Sequence, residues 1–142
     1  MLTLDKIYDA SRVLQDVIHP TAIVKASAID VDCDLYLKPE CLQLTGSFKL
    51  RGSGYKISQL TDEEKARGVI ACSAGNHAQG VALAATKYGI KSLICLPDGA
   101  PISKVEATKN DGITIGKMKF PTLDAMADYI KDYNSKQREQ QE

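Results

Sequence analysis

Leu4, Ile7, Tyr8, Ser11 and Leu14 recur near helical spacing behind Thr3, whose hydroxyl suits an N-cap, so the pattern predicts an amphipathic helix over about 4–14. Pro20 closes that region. The run Asp34-Leu-Tyr-Leu-Lys38 alternates and stops at Pro39, the mark of a short strand whose last residue the proline holds extended. Phe48, Tyr55 and Ile57 return to helical spacing, but Gly46, Gly52 and Gly54 interrupt the stretch 45–60. Each glycine inside a helix costs about 1 kcal/mol, so close approach of another element is expected there. Thr61 with Glu64 three residues later forms a capping box, and Gly68 ends the short helix it starts.

The pattern then turns regular. Val69-Ile-Ala-Cys-Ser73 reads as a buried strand, and Ala78, Val81, Ala82, Ala85 and Tyr88 place one face on a helix from about Asn76 to Tyr88, stopped by Gly89. Ser92-Leu-Ile-Cys-Leu96 is a second apolar strand ended by Pro97. Pro101 opens a further helix to about Asn110, and Ile113-Thr-Ile115 reads as a third strand. Strand alternating with helix predicts an α/β fold of three layers, a small, mostly parallel sheet with flanking helices and right-handed crossovers. After Gly116 a basic connector leads to a surface helix over Thr122–Tyr133, and the last residues, Asn134 to Glu142, are polar and expected to fray.

Composition narrows the class. The chain has 142 residues, 44% hydrophobic and 25% charged, which suits one soluble domain able to bury roughly 68–70% of its unfolded surface. Lys and Arg (18) balance Asp and Glu (18), so no global field draws it to nucleic acid or an anionic membrane. No window approaches the apolar length of a membrane span, and the start lacks signal-peptide blocks, so a cytoplasmic protein is expected. Cys33, Cys41, Cys72 and Cys95 show no C-x-x-C spacing, and His19 and His77 lie far apart, so no metal site is expected. Cys72 and Cys95 read as small core hydrophobes.

Two constellations carry candidate chemistry. The turn Ser73-Ala-Gly-Asn-His-Ala-Gln-Gly80 joins a strand to a helix start, where backbone N–H groups and the helix dipole favour a carboxylate or phosphate. It lies at the carboxyl end of a parallel strand, the usual ligand edge. As a bare pattern it is equally a plain strand-to-helix turn. Lys49 stands near the start of the glycine-interrupted helix, where a helix N-terminus, a neighbouring cation such as Arg51, or burial can each lower an amine's pKa and make it a nucleophile. On position alone it reads as a solvated lysine.

In combination the motifs are more specific. Tyr36-Leu-Lys-Pro-Glu40, Thr45-Gly-Ser-Phe-Lys-Leu-Arg-Gly52, Ser73-Ala-Gly-Asn-His-Ala-Gln-Gly80 and Ala100-Pro-Ile-Ser-Lys-Val-Glu-Ala-Thr-Lys109 resemble, in that order, the pyridoxal-phosphate enzymes of the tryptophan-synthase-β type. The likeness covers about residues 1–112. Leu50 and His77 stand where cysteine synthase and threonine synthase relatives typically have aspartate and often have threonine, so the chain resembles the threonine and serine dehydratase branch, which also includes serine racemase.

The resemblance implies a lyase of amino-acid metabolism, with isoleucine biosynthesis as one setting. It implies that Lys49 carries pyridoxal phosphate covalently and later moves protons on the substrate, and that Phe48 packs beside the ring. Asn76 would hydrogen-bond the cofactor's 3′-hydroxyl, and Ser73, Gly75, Asn76 and His77 would hold the substrate carboxylate. Such an enzyme removes water and then ammonia from threonine, and in related cases serine, to leave a 2-oxo acid. Relatives bind the cofactor phosphate on a downstream glycine-rich loop. The ten glycines here include no adjacent pair, and that loop is not found. By the same resemblance, 1–46 belongs to a large domain, 47–115 forms a small α/β domain, and 116–142 is an unmatched helical tail, an incomplete version of a two-domain fold. An incomplete sheet favours a homo-oligomer or pairing with an intact subunit. The competing expectation is a non-catalytic truncated homologue or interaction module.

Overall fold

The computed structural model describes residues 1–96, 101–103, 105–106, 124–125 and 127–132. Helix α1 spans Leu4–Val13, and the Thr3 hydroxyl accepts the Lys6 N–H at 3.4 Å as its N-cap. The helix itself buries no residue. Its C-terminal continuation does: Leu14 and Val17 turn into the core. A small antiparallel ribbon follows, β1 (Val24–Lys25) against β2 (Tyr36–Leu37), then a 3-10 turn at Glu40–Leu42. The alternating run 34–38 thus contributes only two paired residues, and its partner β1 lacked enough alternation to be read from sequence.

Helix α2 spans Lys49–Ser58, despite its glycines. The expected close approach is real at Gly54, where an added Cβ would meet Val17 Cγ1 at 2.9 Å and Leu14 Cδ2 at 3.0 Å. Gly52 has nothing within 4 Å of such a carbon, so no packing demand explains it. The Tyr55 hydroxyl donates to Asp9 at 2.9 Å and ties α2 to α1. Helix α3 (Asp62–Arg67) has the full capping box at Thr61 and Glu64 and ends at Gly68.

The central unit is β3 (Val69–Cys72), α4 (Asn76–Lys87) and β4 (Ser92–Cys95), the two strands parallel in register from Val69↔Ser92 to Cys72↔Cys95. Helix α4 stops at Gly89, whose φ of 67° is the left-handed cap conformation. Gly89 N–H reaches Thr86 O at 3.0 Å, and Ile90 N–H reaches Ala85 O at 2.9 Å, which satisfies two carbonyls that the helix end would leave open. The core gathers around α4: Leu50, Ala78, Ala82, Ala84, Ala85, Ile94 and Cys95 are 0% exposed. Small side chains on α4 let α2 and the strands close over it.

Farther on, Ile102, Ser103, Val105 and Glu106 are helical, with Val105 N–H bonded to Pro101 O at 3.2 Å, as the proline-opened helix requires. Residues 124–125 and 127–132 are helical and none is buried, which fits a surface helix. The expected strand Ile113–Ile115 lies outside the described residues.

Candidate active site

Lys49 is the first residue of α2, and three contacts fix its backbone. Ser47 Oγ accepts the Lys49 N–H at 3.1 Å, and Ser53 Oγ donates to Lys49 O at 3.0 Å. The third is a helix crossing at Gly80 of α4, where an added Cβ would stand 3.1 Å from both the Lys49 carbonyl carbon and the Leu50 nitrogen. A side chain here would crowd the start of α2, and glycine lets α4 lie on it at this distance. The crossing brings the two sequence motifs together in space.

Asn76 lies one helical turn before Gly80, hence on the α4 face turned toward α2. Gly75, the N-cap of α4, provides no side-chain cap. The turn before it is fastened by Gly75 N–H to Ser73 Oγ at 3.1 Å and Ser73 N–H to Cys95 O at 3.3 Å. The N-cap residues of α1 and α3 are threonines whose hydroxyls cap the first turn, whereas the N-cap of α4 has no side chain to do so. Such a helix start, at the carboxyl end of β3, can hold an anion.

The Lys49 side chain is exposed, its ammonium 4.9 Å from the centre of the Phe48 ring, and among the described residues no carboxylate pairs with it. Phe48 is itself 59% exposed, so one side of the lysine is open. Lys49 is thus solvated, as its position alone suggests. Arg51 does not face it: Arg51 Nε and Nη2 bind Glu40 Oε2 and Oε1 at 2.8 and 2.7 Å. What sets Lys49 apart is its place at the helix start and the crossing behind it.

From sequence, Glu40 has no assigned role and Arg51 enters only as a cation near Lys49. Together with Thr21 they form a clasp. The Thr21 hydroxyl donates to Glu40 at 2.6 Å, and Lys38 Nζ donates to Thr21 O at 2.6 Å. The Arg51 guanidinium, helped by Thr21 and Lys38, holds the Glu40 carboxyl at about 2 against an ordinary 4.5, with burial working the other way. No periodicity signals such a clasp, since its members meet only through the folded loop.

His77 is the second residue of α4 and exposed. It lines a cavity of about 890 Å³ with Gly52, Ser53, Ile57, Cys72 and Val81, a cavity whose wall includes neither Lys49 nor Asn76. Cys95 is fully buried and Cys72 partly so, and burial pushes both thiols up, as core packing implies. Among the described residues no cluster of His, Cys, Asp or Glu could hold a metal ion, and no helix is long and apolar enough to cross a membrane.

Comparison with known proteins adds three kinds of likeness. The model of the pyridoxal-phosphate dependent enzyme family matches residues 14–136, running past Gly116 into the C-terminal stretch. The chain is 50% identical over 117 residues to an L-threonine ammonia-lyase of Thermotoga maritima, covering 81% of this chain and 29% of the relative. It is 46% identical over 109 residues to a catabolic L-threonine dehydratase of Escherichia coli, covering 75% of this chain and 33% of that protein. The solved serine racemase of Dictyostelium discoideum superposes with a TM-score of 0.82 at 36% identity, over 92% of this chain and 43% of that one. The chain thus spans about a third of the length of these curated relatives.

Proposed function

This chain belongs to the pyridoxal-phosphate dependent enzyme family, and on that premise we propose that it forms the lysine-bearing part of a threonine- and serine-deaminating lyase that works in the cytoplasm. The observation that carries the reading is the crossing at Gly80, which lays α4, whose N-cap Gly75 gives no side-chain cap, across the backbone of Lys49. Residues 1–46 serve a large domain and 47–115 a small one in this proposal.

The residues present fit the cofactor. An exposed amine unpaired among the described residues is open to a carbonyl, and an exposed Phe48 beside it offers an apolar face to an aromatic ring. When bound, pyridoxal phosphate supplies an electron sink for the substrate's α carbon. Lys49 would anchor the cofactor and, when free, take the α proton on Nζ. Asn76 would orient the ring from the α4 face above Lys49. The Ser73–Gly75 turn and the first N–H groups of α4 would hold the substrate carboxylate, helped by His77 only if its side chain turns out of the cavity wall. Loss of the β-hydroxyl and hydrolysis would then yield a 2-oxo acid and ammonia.

A second reading, a non-catalytic module, draws on the open side of Lys49 and Phe48. One experiment separates the two. The purified chain is incubated with pyridoxal phosphate, reduced with borohydride and mapped by peptide mass. Label on Lys49 alone, lost in Lys49→Ala, supports the proposal and leads to a 2-oxobutanoate assay with threonine. Label absent, or spread over many lysines, overturns it for this chain and leaves the module.

A further inference from the structure

Two of the four cysteines meet in register. Cys72 closes β3 and Cys95 closes β4, and the parallel pairing sets the two directly opposite each other. Residues paired in this way on neighbouring strands point to the same face of the sheet. Both are free thiols, Cys95 fully buried and Cys72 partly so. Burial pushes the Cys95 thiol up and Cys72 adds to the effect electrostatically, as a near neighbour does. Core packing accounts for each cysteine singly, but not for their meeting side by side.

The spacing suits a bond between them. Neighbouring strands lie about 4.8 Å apart, inside the roughly 4.4–6.8 Å that a disulfide spans between α carbons. The β carbons of such a pair leave the sheet at about the same strand spacing, whereas a disulfide holds them at roughly 3.5–4.5 Å. Bridging therefore draws the two strand ends together and strains the bond, and a strained disulfide is readily reduced. That suits a transient bridge rather than a permanent staple, the form that disulfides usually take in a reducing compartment.

Access to the pair is one-sided. Cys72 lines the cavity of about 890 Å³, and Cys95 is not part of its wall. A small oxidant entering the cavity meets the Cys72 sulfur, and Cys95 lies behind it, shielded from solvent but opposite Cys72. The remaining cysteines, Cys33 and Cys41, are exposed.

We propose that Cys72 and Cys95 are a reversible redox pair, closed to a disulfide by hydrogen peroxide and reopened by a small thiol. The Cys72 thiolate attacks one peroxide oxygen, the O–O bond breaks, and hydroxide leaves a sulfenic acid on Cys72. The Cys95 thiolate then attacks that sulfur, forms the S–S bond and expels a second hydroxide. The two thiol protons and the two hydroxides make two waters, so one peroxide takes up the two electrons. Two small thiols return the pair to its reduced form and leave as their own disulfide. The bridge acts directly below the candidate anion turn: Ser73 N–H donates to Cys95 O at 3.3 Å, and Ser73 Oγ accepts the Gly75 N–H at 3.1 Å. Drawing the strand ends together tightens that turn. The inference stands on the strand register and not on the threonine reaction.

The test uses the 142-residue chain with Cys33→Ser and Cys41→Ser, which removes the two exposed thiols. After treatment with hydrogen peroxide the folded chain is expected to lose about 2 Da, the two thiol hydrogens. An unreduced tryptic map should join the peptide 68–87 to the peptide 92–104, and dithiothreitol should separate them again. Amides of 73–75 should exchange at least about threefold more slowly in the bridged form. With Cys95→Ala added, dimedone should trap a sulfenic acid on Cys72, and with Cys72→Ala added, Cys95 should stay unoxidised. Should either of these variants fail to fold, the joined peptides and the exchange rates decide the proposal. Chains linked to one another, oxygen added to Cys72 while Cys95 stays free, both thiols untouched, or unchanged exchange at 73–75 overturns it. A sulfenic acid on Cys95 in the absence of Cys72 overturns the route through the cavity. No readout here depends on pyridoxal phosphate, so failure is distinct from failure of Lys49 to take label.

Discussion

Replacing Glu40 by glutamine removes the charge from the clasp and keeps its shape. In the native chain one carboxylate receives two parallel bonds from Arg51, at 2.8 and 2.7 Å, and a third from Thr21 at 2.6 Å. A glutamine presents one oxygen and one NH₂, so one of the two guanidinium bonds meets a donor instead of an acceptor. A carboxyl held at about 2 against 4.5 corresponds to at most about 3 kcal/mol of stabilisation at neutral pH. The Arg51 side chain is 32% exposed and Glu40 15%, so screening brings the expected loss down to about 1–2 kcal/mol.

The pH dependence has a definite sign. Glu40 has its pKa lowered by folding, so its contribution is complete above about 4.5 and disappears as the pH falls toward about 2. Urea unfolding followed by far-ultraviolet circular dichroism should therefore show Glu40→Gln less stable by about 1–2 kcal/mol at pH 7. The gap between variant and native chain should narrow steadily below pH 4.5. Equal stabilities at pH 7, or a gap that persists unchanged at pH 2.5, would refute the assignment of this energy to the ionised carboxylate. Arg51→Lys keeps the charge but not the planar fork, and it should recover less than half of the stability that Arg51→Ala loses.

Gly80→Ala should lower stability by about 1–3 kcal/mol, because the new carbon meets backbone of Lys49 and Leu50 at 3.1 Å. Gly52→Ala meets nothing within 4 Å and should stabilise by up to about 1 kcal/mol, so thermal melts of the two should move in opposite directions. With a thiol reagent at pH 8, exposed Cys33 and Cys41 should react fast, and Cys72 and Cys95, whose thiols burial pushes up, should react slowly. Four equal rates would contradict the burial. Gly75→Asp should cap α4 and raise the melting temperature slightly while reducing pyridoxyl labelling of Lys49, since its carboxylate would occupy the helix start; a melt and a label yield both unchanged would count against an anion site there.

What was legible in the sequence was what is decided locally. Thr3, the Thr61–Glu64 box and Gly89 bound their helices as read, because caps and stops depend on a few neighbouring residues. The parallel pair β3–β4 was legible from two apolar runs around an alanine-rich helix. Strand β1 was not, since two residues carry no period and its pairing with β2 is made by the intervening loop. Which partner Arg51 takes was not legible for a similar reason: it lies two positions from Lys49 in sequence, but Glu40, brought in through the loop, takes its guanidinium. Gly52 and Gly54 look alike in the sequence, and only packing distinguishes the open one from the crowded one.

The helix starts connect these local signals to function. Side-chain hydroxyls close the first turns of α1 and α3, and neither helix bears a residue of the candidate site. Helices α2 and α4 begin without a side-chain cap from their N-cap residues Phe48 and Gly75, and they carry Lys49 and Asn76. A missing cap costs a protein about 1 kcal/mol where a serine or aspartate would have served. At Gly75 nothing steric forbids one, since an added Cβ would meet only Ser73 Oγ at 4.0 Å and the backbone is extended. A side-chain cap at Gly75 is therefore a stability the sequence forgoes on the helix that crosses Lys49. An anion held at this helix start would bind the folded chain alone and so return stability on binding.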